Sequence, residues 1–449
     1  MQRTMRRIAR ALAGPSAALV LLPVVAIGLA LALAWNFGWI RPAAPRAVMP
    51  MRQSVYLWQR AWNEPVRTAV EQRAPQFGGG MVVLGAEIGW TDGAPTQVVV
   101  ELDHALLART ALPTGLALRI GPCPKELLSE AATIEYIAKV ARDMLASARS
   151  GGWEPTELQL DFDSATSRLD GYRRWIEVLS AEFKPLRLTI TVLPTWMSSS
   201  AFGPLVRATD GFVLQVHSVE KASLEAAAPS LCDARSALSW VEHAAHFGVP
   251  FRVALPSYGY LAFLNNAGAL TGLVAEGRPH GEADGARVRE VRADPTAMAT
   301  LVARWMQTRP AAMQGIVWYR LPVDGDRLNW SWPTLSRVVR GEVPMAQLVL
   351  VARAGAGALV EVVAENHGDL EAELPRAIDA RWTGAAEIVG ADALAGMEWQ
   401  RDVRGDLHHE VRFTRAAALS EGRVQPGEAR ALGWIRLTHA TEVELHALD

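Results

Sequence analysis

The sequence predicts an α/β protein in which a (β/α)8 barrel is preceded by a transmembrane or signal segment and followed by an all-β domain. Three observations support this prediction. From residue 53 to 342, eight short apolar runs alternate with amphipathic segments, which is typical of parallel strands connected by helices. From residue 343 to 449, apolar residues recur at every second position, and near the N-terminus a basic stretch precedes an uncharged apolar run. The 449 residues are enough for more than one domain.

The first 40 residues are predicted to be a membrane anchor or a signal segment. The basic stretch MQRTMRRIAR precedes an uncharged run from Pro15 to Trp35, and a bilayer is spanned by about 20 such residues. We therefore expect the body of the protein on the periplasmic side of a bacterial inner membrane. The triplet Ala32-Leu33-Ala34 leaves cleavage by signal peptidase as an alternative, with secretion to the periplasm. Residues 41–52 are interpreted as a stiff Pro-rich linker.

The eight apolar runs have the length of β-strands and are residues 54–59, 81–88, 116–121, 157–163, 186–194, 211–217, 251–257 and 315–322. Segments between them, such as TIEYIAKVARDMLASAR, carry apolar residues three and four positions apart, which indicates helices. Eight strands separated by helices fit a TIM barrel. A doubly wound open sheet is the alternative, but no Gly-rich phosphate loop follows the first run. Residues 98–110 are extra to this count, and we interpret them as an excursion after the second strand.

Residues 343–449 are predicted to form a small β-sandwich-like domain. Gly, Asn and Asp separate its alternating segments, and no helical pattern lies between them. The segments are QLVLVARAG, LVEVVAENHG, EIVGADAL, HHEVRFTRA and LGWIRLTHATEVEL.

The amino-acid composition argues against some classes of binding partner and binding site. The net charge is -2 and no basic stripe follows the N-terminal segment, which argues against a nucleic-acid surface. Cys123 and Cys232 are the only cysteines and lack CxxC spacing, so neither a structural zinc site nor a dense disulfide framework is expected. Two separate thiols are favoured over a single disulfide. We expect no metal and no cofactor.

The strongest functional signal is the pair of acids in ELQLDFDSAT, residues 157–166. In an extended strand alternate side chains share a face, so Gln159, Asp161 and Asp163 point one way and the apolar residues between them point the other. The chemistry of a (β/α)8 barrel lies at the carboxyl ends of its strands, so both aspartates are expected at the mouth. Two neighbouring acids perturb each other's ionisation, as catalytic pairs do.

Other strand ends supply further candidates. Asp163, Asp161 and Glu87 are the predicted catalytic residues. The predicted substrate-binding residues are Gln159, Arg119, Trp196, Gln215, His217, Tyr258, Trp318 and Arg320. Acids, arginines and aromatic rings at one mouth favour a carbohydrate ligand, because rings stack on sugar faces and charged groups hydrogen-bond hydroxyls.

Four segments of the barrel region resemble a bacterial family. The segments LQLDFDSATSRLDGYRRWIEVL, LTITVLPTW, FVLQVHSVE and GIVWYRLP are similar to the family known as domain of unknown function 3142 (DUF3142), which is regarded as a glycoside-hydrolase-like barrel. A wider similarity is to family 18 chitinase-like barrels, whose fourth strand ends Asp-x-Asp-x-Glu with the last acid as proton donor. This resemblance implies that Asp163 is the donor and Asp161 the supporting acid, while Gln159 replaces the first Asp.

Together these observations predict an extracytoplasmic glycoside hydrolase that acts on an envelope or extracellular polysaccharide. The alternative is a barrel of the cell envelope that binds carbohydrate without cleaving it, because one fold hosts many functions.

Overall fold

The computed structural model describes residues 44–47, 50–217, 231–265, 268–274, 287–403, 408–416 and 422–448. The described residues from Arg46 onward belong to a single unit of mutually contacting elements. The predicted anchor or signal segment lies outside the described residues. Within the described ranges, no helix is both long enough and apolar enough to cross a membrane.

The strands up to residue 319, in chain order, are β1 (Arg46–Ala47), β2 (Arg52–Leu57), β3 (Met81–Thr91), β4 (Ala94–Val99), β5 (Thr114–Ile120), β6 (Glu157–Phe162), β7 (Arg187–Val192), β8 (Gly211–Gln215), β9 (Phe251–Pro256), β10 (Gly259–Leu264), β11 (Leu270–Val274), β12 (Arg287–Arg292), β13 (Arg309–Pro310) and β14 (Met313–Tyr319). The helices are α1 (Glu64–Gln72), α2 (His104–Thr110), α3 (Ala131–Ser150), α4 (Leu169–Phe183), α5 (Phe202–Arg207), α6 (Ala234–Ala245), α7 (Pro295–Gln307) and α8 (Trp332–Val339).

Eight parallel strands close the barrel in the order β2-β3-β5-β6-β7-β8-β9-β14. Pairing of β2 with both β3 and β14 joins the two ends of the sheet. These strands are the eight predicted runs, and an α-helix follows each of them before the next barrel strand or the C-terminal strands. The predicted (β/α)8 barrel is therefore confirmed, and the open-sheet alternative is wrong.

Local sequence fixes where the outer helices begin. The Asn63 side chain accepts a hydrogen bond from the Val66 amide at the start of α1, and Asp233 does the same for the Ser236 amide at the start of α6. The long helix α3 buries an apolar face that includes Ile137. Such caps and faces hold the helices against the outside of the barrel.

Two excursions leave the barrel at the carboxyl ends of strands. β4 pairs antiparallel with the extended end of β3 and is followed by α2, so residues 98–110 do form an excursion after the second strand. After β9, strands β10, β11 and β12 form a separate three-stranded antiparallel sheet.

Hydrogen-bonded polar side chains fill part of the barrel interior. Arg252 of β9 donates to both carboxylate oxygens of Glu157 on β6, at 2.6 and 2.8 Å, and Thr189 of β7 also donates to Glu157 at 3.2 Å. Further along β6, the Gln159 amide donates to Thr189 at 3.3 Å, and its carbonyl accepts from the Tyr56 hydroxyl at 2.5 Å. The carboxylate and the guanidinium thus satisfy each other inside the barrel, as buried charges require.

The C-terminal strands are β15 (Leu348–Gly355), β16 (Leu359–Asn366), β17 (Ala372–Glu373), β18 (Ala377–Thr383), β19 (Ile388–Ala393), β20 (Met397–Val403), β21 (His408–Arg415), β22 (Arg423–Val424), β23 (Ala429–Leu437) and β24 (Glu444–Leu448). They form two four-stranded antiparallel sheets, β15-β16-β23-β19 and β20-β21-β18-β24, besides the β17-β22 pair. One apolar cluster contains Val362 and Ile435 from the first sheet and Ile378 and Phe413 from the second. The all-β prediction for this region is confirmed, whereas the division at residues 342 and 343 stays a prediction.

Sequence reasoning missed β18 and β20, although Ile378, Ala380 and Trp382 alternate with polar residues in β18. In β18, Asp379 is fully buried. It is nevertheless satisfied, because Arg412 donates to both of its carboxylate oxygens at 2.6 and 3.0 Å and Arg381 donates at 2.7 Å. The pKa of Asp379 is lowered, since these two arginines outweigh the effect of its burial.

We predict that the Arg252–Glu157 pair is a major source of barrel stability. Arg252→Ala leaves the carboxylate of Glu157 buried without its cation, and such a change costs about 3 to 5 kcal/mol of unfolding free energy. Denaturant unfolding of the variant measures this loss. The control is Arg149→Ala, which removes a solvent-exposed pair with Glu154 and is expected to change the unfolding free energy much less. Equal losses in the two variants would contradict the prediction.

Candidate active site at the mouth of the barrel

Three neighbouring strands bring charged side chains to one side of the mouth. Glu87 of β3 is in register with Arg119 of β5, and Arg119 is in register with Asp161 of β6. Neighbouring strands lie about 4.8 Å apart, so these residues form a row across the strand ends. Asp163 directly follows β6.

Asp161 is the more enclosed of the two aspartates. It accepts a hydrogen bond from the Thr191 hydroxyl on β7 at 2.6 Å. Burial raises the pKa of Asp161 to about 6, with a further contribution from the charge of Asp163, although the Thr191 hydrogen bond acts in the opposite direction. Asp161 can therefore gain or lose a proton near neutral pH.

Asp163 is exposed to solvent, but the protein atoms around it still shift the pKa of its carboxyl group. Desolvation raises the pKa of Asp163, and the positive charge of Arg119 opposes this shift. Within the described residues its carboxylate has no hydrogen-bond or ion-pair partner, which leaves it available to a ligand.

A β-bulge brings Glu87 to the mouth. Leu84 pairs with Ala117 and the next pairing is Ala86 with Leu118, so Gly85 is the extra residue in β3. If β3 paired regularly, with Gly85 opposite Leu118, the next residue Ala86 would lie beside Arg119 in place of Glu87. A Cβ at Gly85 would lie 2.5 Å from the terminal methyl of Met144, so that flexible side chain would have to move.

Glu87 is held as a carboxylate by two arginines. Arg60 binds both of its oxygens, and Arg119 donates to Oε2 at 3.3 Å. The hydrogen bond from Arg60 lowers the pKa of Glu87, and burial only partly opposes this effect. Glu87 therefore lies at the mouth as predicted, but it is poorly suited to donate a proton.

Aromatic rings lie next to the acids, and sequence reasoning identified only part of this group. We call Tyr56, Trp58, His217, Tyr258 and Tyr319 the aromatic cluster. The Tyr319 ring centroid lies 5.1 Å from that of Tyr258, 5.5 Å from Trp58 and 5.8 Å from both Tyr56 and His217. Burial raises the pKa of Tyr319, and the charge of Asp161 adds to this shift, so the ring lies near that carboxylate.

Three predicted binding residues lie in or beside the aromatic cluster. Tyr258 and His217 are both mostly buried, and their side chains are 3.4 Å apart between the hydroxyl and Nδ1. Burial lowers the pKa of His217 to about 3, so its imidazole is neutral. Gln215 is only partly buried, and its amide donates to the His217 carbonyl at 3.4 Å.

Gln159 is not at the mouth. It is fully buried within the barrel, where Tyr56 and Thr189 satisfy it. Gln159 shares the inward face of β6 with Asp161, as predicted, but its part is to fill the interior and not to contact a ligand.

The structure also corrects the predictions for Trp196, Trp318 and Arg320, which are almost completely buried. The Trp196 indole donates to the Ser164 carbonyl at 3.0 Å, and the Trp318 indole donates to the Gln53 side chain at 2.8 Å. Arg320 pairs with Asp326. Alternation along β14 turns Trp318 outward and Tyr319 inward, so Tyr319 is the residue of this strand that reaches the mouth.

The described part of the chain contains no group of three or more His, Cys, Asp or Glu side chains that could hold a metal ion. Cys123 and Cys232 are both buried thiols. The carboxyl, guanidinium and phenol groups at the mouth are able to transfer protons and to form hydrogen bonds.

Part of the barrel matches the model of a known protein family. Residues 126–324, which include both aspartates, match the family model described as domain of unknown function DUF3142. The barrel carries a DUF3142 domain. Residues 349–438 match a second domain of unknown function, DUF8456, which lies within the C-terminal sheets. No curated protein matches the chain in sequence.

Solved structures similar to the DUF3142 barrel include a spore cortex-lytic enzyme and chitinases. SleL of Bacillus cereus is 14% identical, with 64% of this chain and 74% of that chain covered and a TM-score of 0.42. The chitinase of Chromobacterium violaceum is 14% identical, with 64% and 99% covered and a TM-score of 0.42. A chitinase of Bacteroides thetaiotaomicron is 11% identical, with 65% and 97% covered and a TM-score of 0.46. Likeness at this level says nothing about activity.

We predict that the carboxyl group of Asp161 titrates at a pH of about 6. Difference infrared spectroscopy of the carboxyl C=O band measures this titration. Asp161→Asn should abolish it, and Asp163→Asn should lower its midpoint because the neighbouring charge is lost. A midpoint near 3.8, the ordinary value for aspartate, would contradict the prediction.

The same pKa shift predicts how stability depends on pH. The folded-state pKa of Asp161 lies above its unfolded value, so its contribution to stability is fully present below a pH of about 4 and is lost as the pH rises through about 6. Thermal unfolding of the wild type and of Asp161→Asn from pH 4 to 7 measures this contribution as a difference. Parallel curves for the two proteins would contradict the prediction.

Proposed function

We propose that the barrel is a glycoside hydrolase that acts on an envelope or extracellular polysaccharide. The observation that supports this proposal is the pair of aspartates at the end of β6, one enclosed with a pKa of about 6 and the other open to solvent. A glycosidase needs an acid that retains its proton near neutral pH beside a group that responds to its charge.

In this proposal Asp163 protonates the glycosidic oxygen. Its carboxyl group is open to the mouth, and desolvation favours its protonated form. Asp161 lies behind it, held by Thr191. When Asp163 transfers its proton to the leaving group it becomes a carboxylate, and uptake of a proton from solvent by the acidic pair then relieves the repulsion between the two charges.

In this proposal the substrate itself supplies the second catalytic group, which in other glycosidases is a carboxylate that acts as base or nucleophile. Glu87 is already bound by Arg60 and Arg119, which reduces its strength as a base or nucleophile. Substrate assistance, in which an acetamido group of the sugar stabilises the oxocarbenium-like transition state, needs no further carboxylate. Tyr319 is the one ring of the aromatic cluster that is only partly buried, and it offers a contact for the sugar that is distorted in this step.

A barrel that binds a saccharide without cleaving it is the second candidate. The observation in its favour is Gln159, a neutral residue at the position where the family 18 motif has its first acid. Compared with that motif, β6 lacks the first of the three acids and keeps the other two, Asp161 and Asp163.

Substitution of the two aspartates tests the proposal. Asp163→Asn removes the proton donor and keeps its shape, so turnover of soluble chitin or peptidoglycan oligosaccharides should fall by about a hundredfold or more with little change in affinity. Asp161→Asn should cause a smaller loss and shift the pH profile downward, because the pKa of Asp163 falls without its neighbour's charge. Asp170→Asn, on the exposed first turn of α4, is the matched control.

The same assays distinguish the two candidates. If the barrel only binds saccharides, both active-site variants weaken affinity and the wild type cleaves none of these glycans. Full turnover by Asp163→Asn would contradict the role of Asp163.

We also propose that the barrel and the C-terminal sheets lie outside the cytoplasm. The support is the order of the basic stretch, the uncharged run from Pro15 to Trp35 and the Pro-rich linker. Protease added to intact spheroplasts should digest the body of the protein. Complete protection until the membrane is broken would contradict this location, and a mature chain that begins near Trp35 would show that the segment is a cleaved signal.

A further inference from the structure

We propose that the saccharide recognised at this mouth carries a carboxylate group, and that Arg60 and Arg119 bind it. This inference rests on the proposed function for the identification of the ligand as a saccharide. It adds the chemical class of that saccharide, an acidic glycan, and the residues that select it.

The first argument is the balance of charge around Glu87. Two guanidinium groups share one carboxylate, since Arg60 binds both Glu87 oxygens and Arg119 binds Oε2 at 3.3 Å. The Glu87 side chain is only 17% exposed, whereas those of Arg60 and Arg119 are 57% and 46% exposed. The group therefore presents an excess positive charge to solvent, and its carboxylate lies beneath the two arginines.

The second argument is the supply of unused donors. Arg60 uses Nε and Nη2 on Glu87, and Arg119 uses Nη1. Within the described residues, Nη1 of Arg60 and both Nε and Nη2 of Arg119 have no protein acceptor. A planar guanidinium presents such donors in a fork that matches a carboxylate. Glu87 fixes the orientation of both forks before a ligand arrives, which reduces the cost of ordering them on binding.

The third argument is position. Arg119 is in register with Asp161 on the adjacent strand, and its charge influences the pKa of Asp163. It nevertheless forms no ion pair with either aspartate within the described residues. Its partner in the protein is Glu87, so its remaining donors point to a function other than neutralising the acidic pair.

A ligand carboxylate bound here would lie next to the proposed proton donor. The ligand carboxylate would neutralise the positive charge of Arg119, and this charge otherwise lowers the pKa of Asp163. An acidic sugar would therefore favour the protonated form of Asp163, whereas a neutral sugar would leave Arg119 acting on the donor.

Matched glycans that differ only in charge test the inference. The probes are peptide-free peptidoglycan strands with free muramic carboxylates and the same strands after methyl esterification, together with polygalacturonate and its methyl ester. Calorimetry with the full chain should show tighter binding of at least one acid form than of its ester. The preference should weaken as salt is added, because it is electrostatic.

Substitution assigns the preference to the two arginines. Arg60→Gln with Arg119→Gln should reduce affinity for the preferred acid form by about tenfold or more, as expected for lost hydrogen bonds to a charged group. Affinity for the ester should fall by a smaller factor, because the ester lacks the negative charge that the arginines bind. Arg60→Lys keeps the charge but not the fork and should give an intermediate loss. Arg149→Gln, an arginine of similar exposure paired with Glu154, should change nothing. Equal melting temperatures establish that each variant is folded.

The outcomes separate this inference from the proposed function. Charge-selective binding that depends on the arginines, without cleavage of any glycan, would support the inference and overturn the hydrolase. Cleavage with equal affinity for acid and ester forms would support the hydrolase and overturn the inference. A preference that survives substitution of both arginines would also overturn it.

Discussion

A carboxylate that leaves water needs a cation, a proton or a hydrogen-bond donor, and the inward face of β6 meets this requirement differently at each position. Glu157 pairs with Arg252 in the interior. At Gln159 the charge is replaced by an amide that two neighbouring side chains satisfy. Asp161 accepts from Thr191 and has a raised pKa, and Asp163 reaches solvent. The strand thus passes from a permanent ion pair to an acid that can exchange its proton.

The side chains on the inward face of β6 need space, and the neighbouring strands provide it. Gly115 of β5 faces Glu157, and a Cβ at this position would lie 2.6 Å from the glutamate side chain. The bulge at Gly85 turns Glu87 toward Arg119, so that the arginine is held beside the acids without forming an ion pair with them. A barrel with ideal alternation in β3 would present an alanine at this point and would lose the carboxylate that orients both arginines.

The alternation of apolar and polar residues was enough to predict the eight strands and the inward series on β6, because both follow from the period of two in a strand. The same rule predicted Asp161 and Asp163 at the mouth. The prediction is wrong on the last strand, where Trp318 and Arg320 are prominent in sequence but the intervening Tyr319 faces inward. Trp196 was misplaced because its position in a turn after β7 has no alternation to guide it.

Other features could not be predicted from one strand at a time. The ion pair between Arg252 and Glu157 joins strands that are not neighbours in the barrel. The hydrogen bonding of Glu87 depends on Arg60, which lies after β2 in a segment without regular structure. Trp58 follows the same strand and joins the aromatic cluster only once the barrel has closed. In each case tertiary packing decides the contact, and the sequence pattern carries no signal for it.

The central claim is that the mouth of the barrel binds a saccharide with Asp163 at the bond to be cleaved. A crystal structure of Asp163→Asn soaked with peptide-free peptidoglycan oligosaccharides tests it most directly. The account predicts a glycosidic oxygen within hydrogen-bond distance of the residue 163 side chain, with a sugar ring against the aromatic cluster. An oligosaccharide bound elsewhere, with the side chains of residues 161 and 163 in contact only with water, would contradict it.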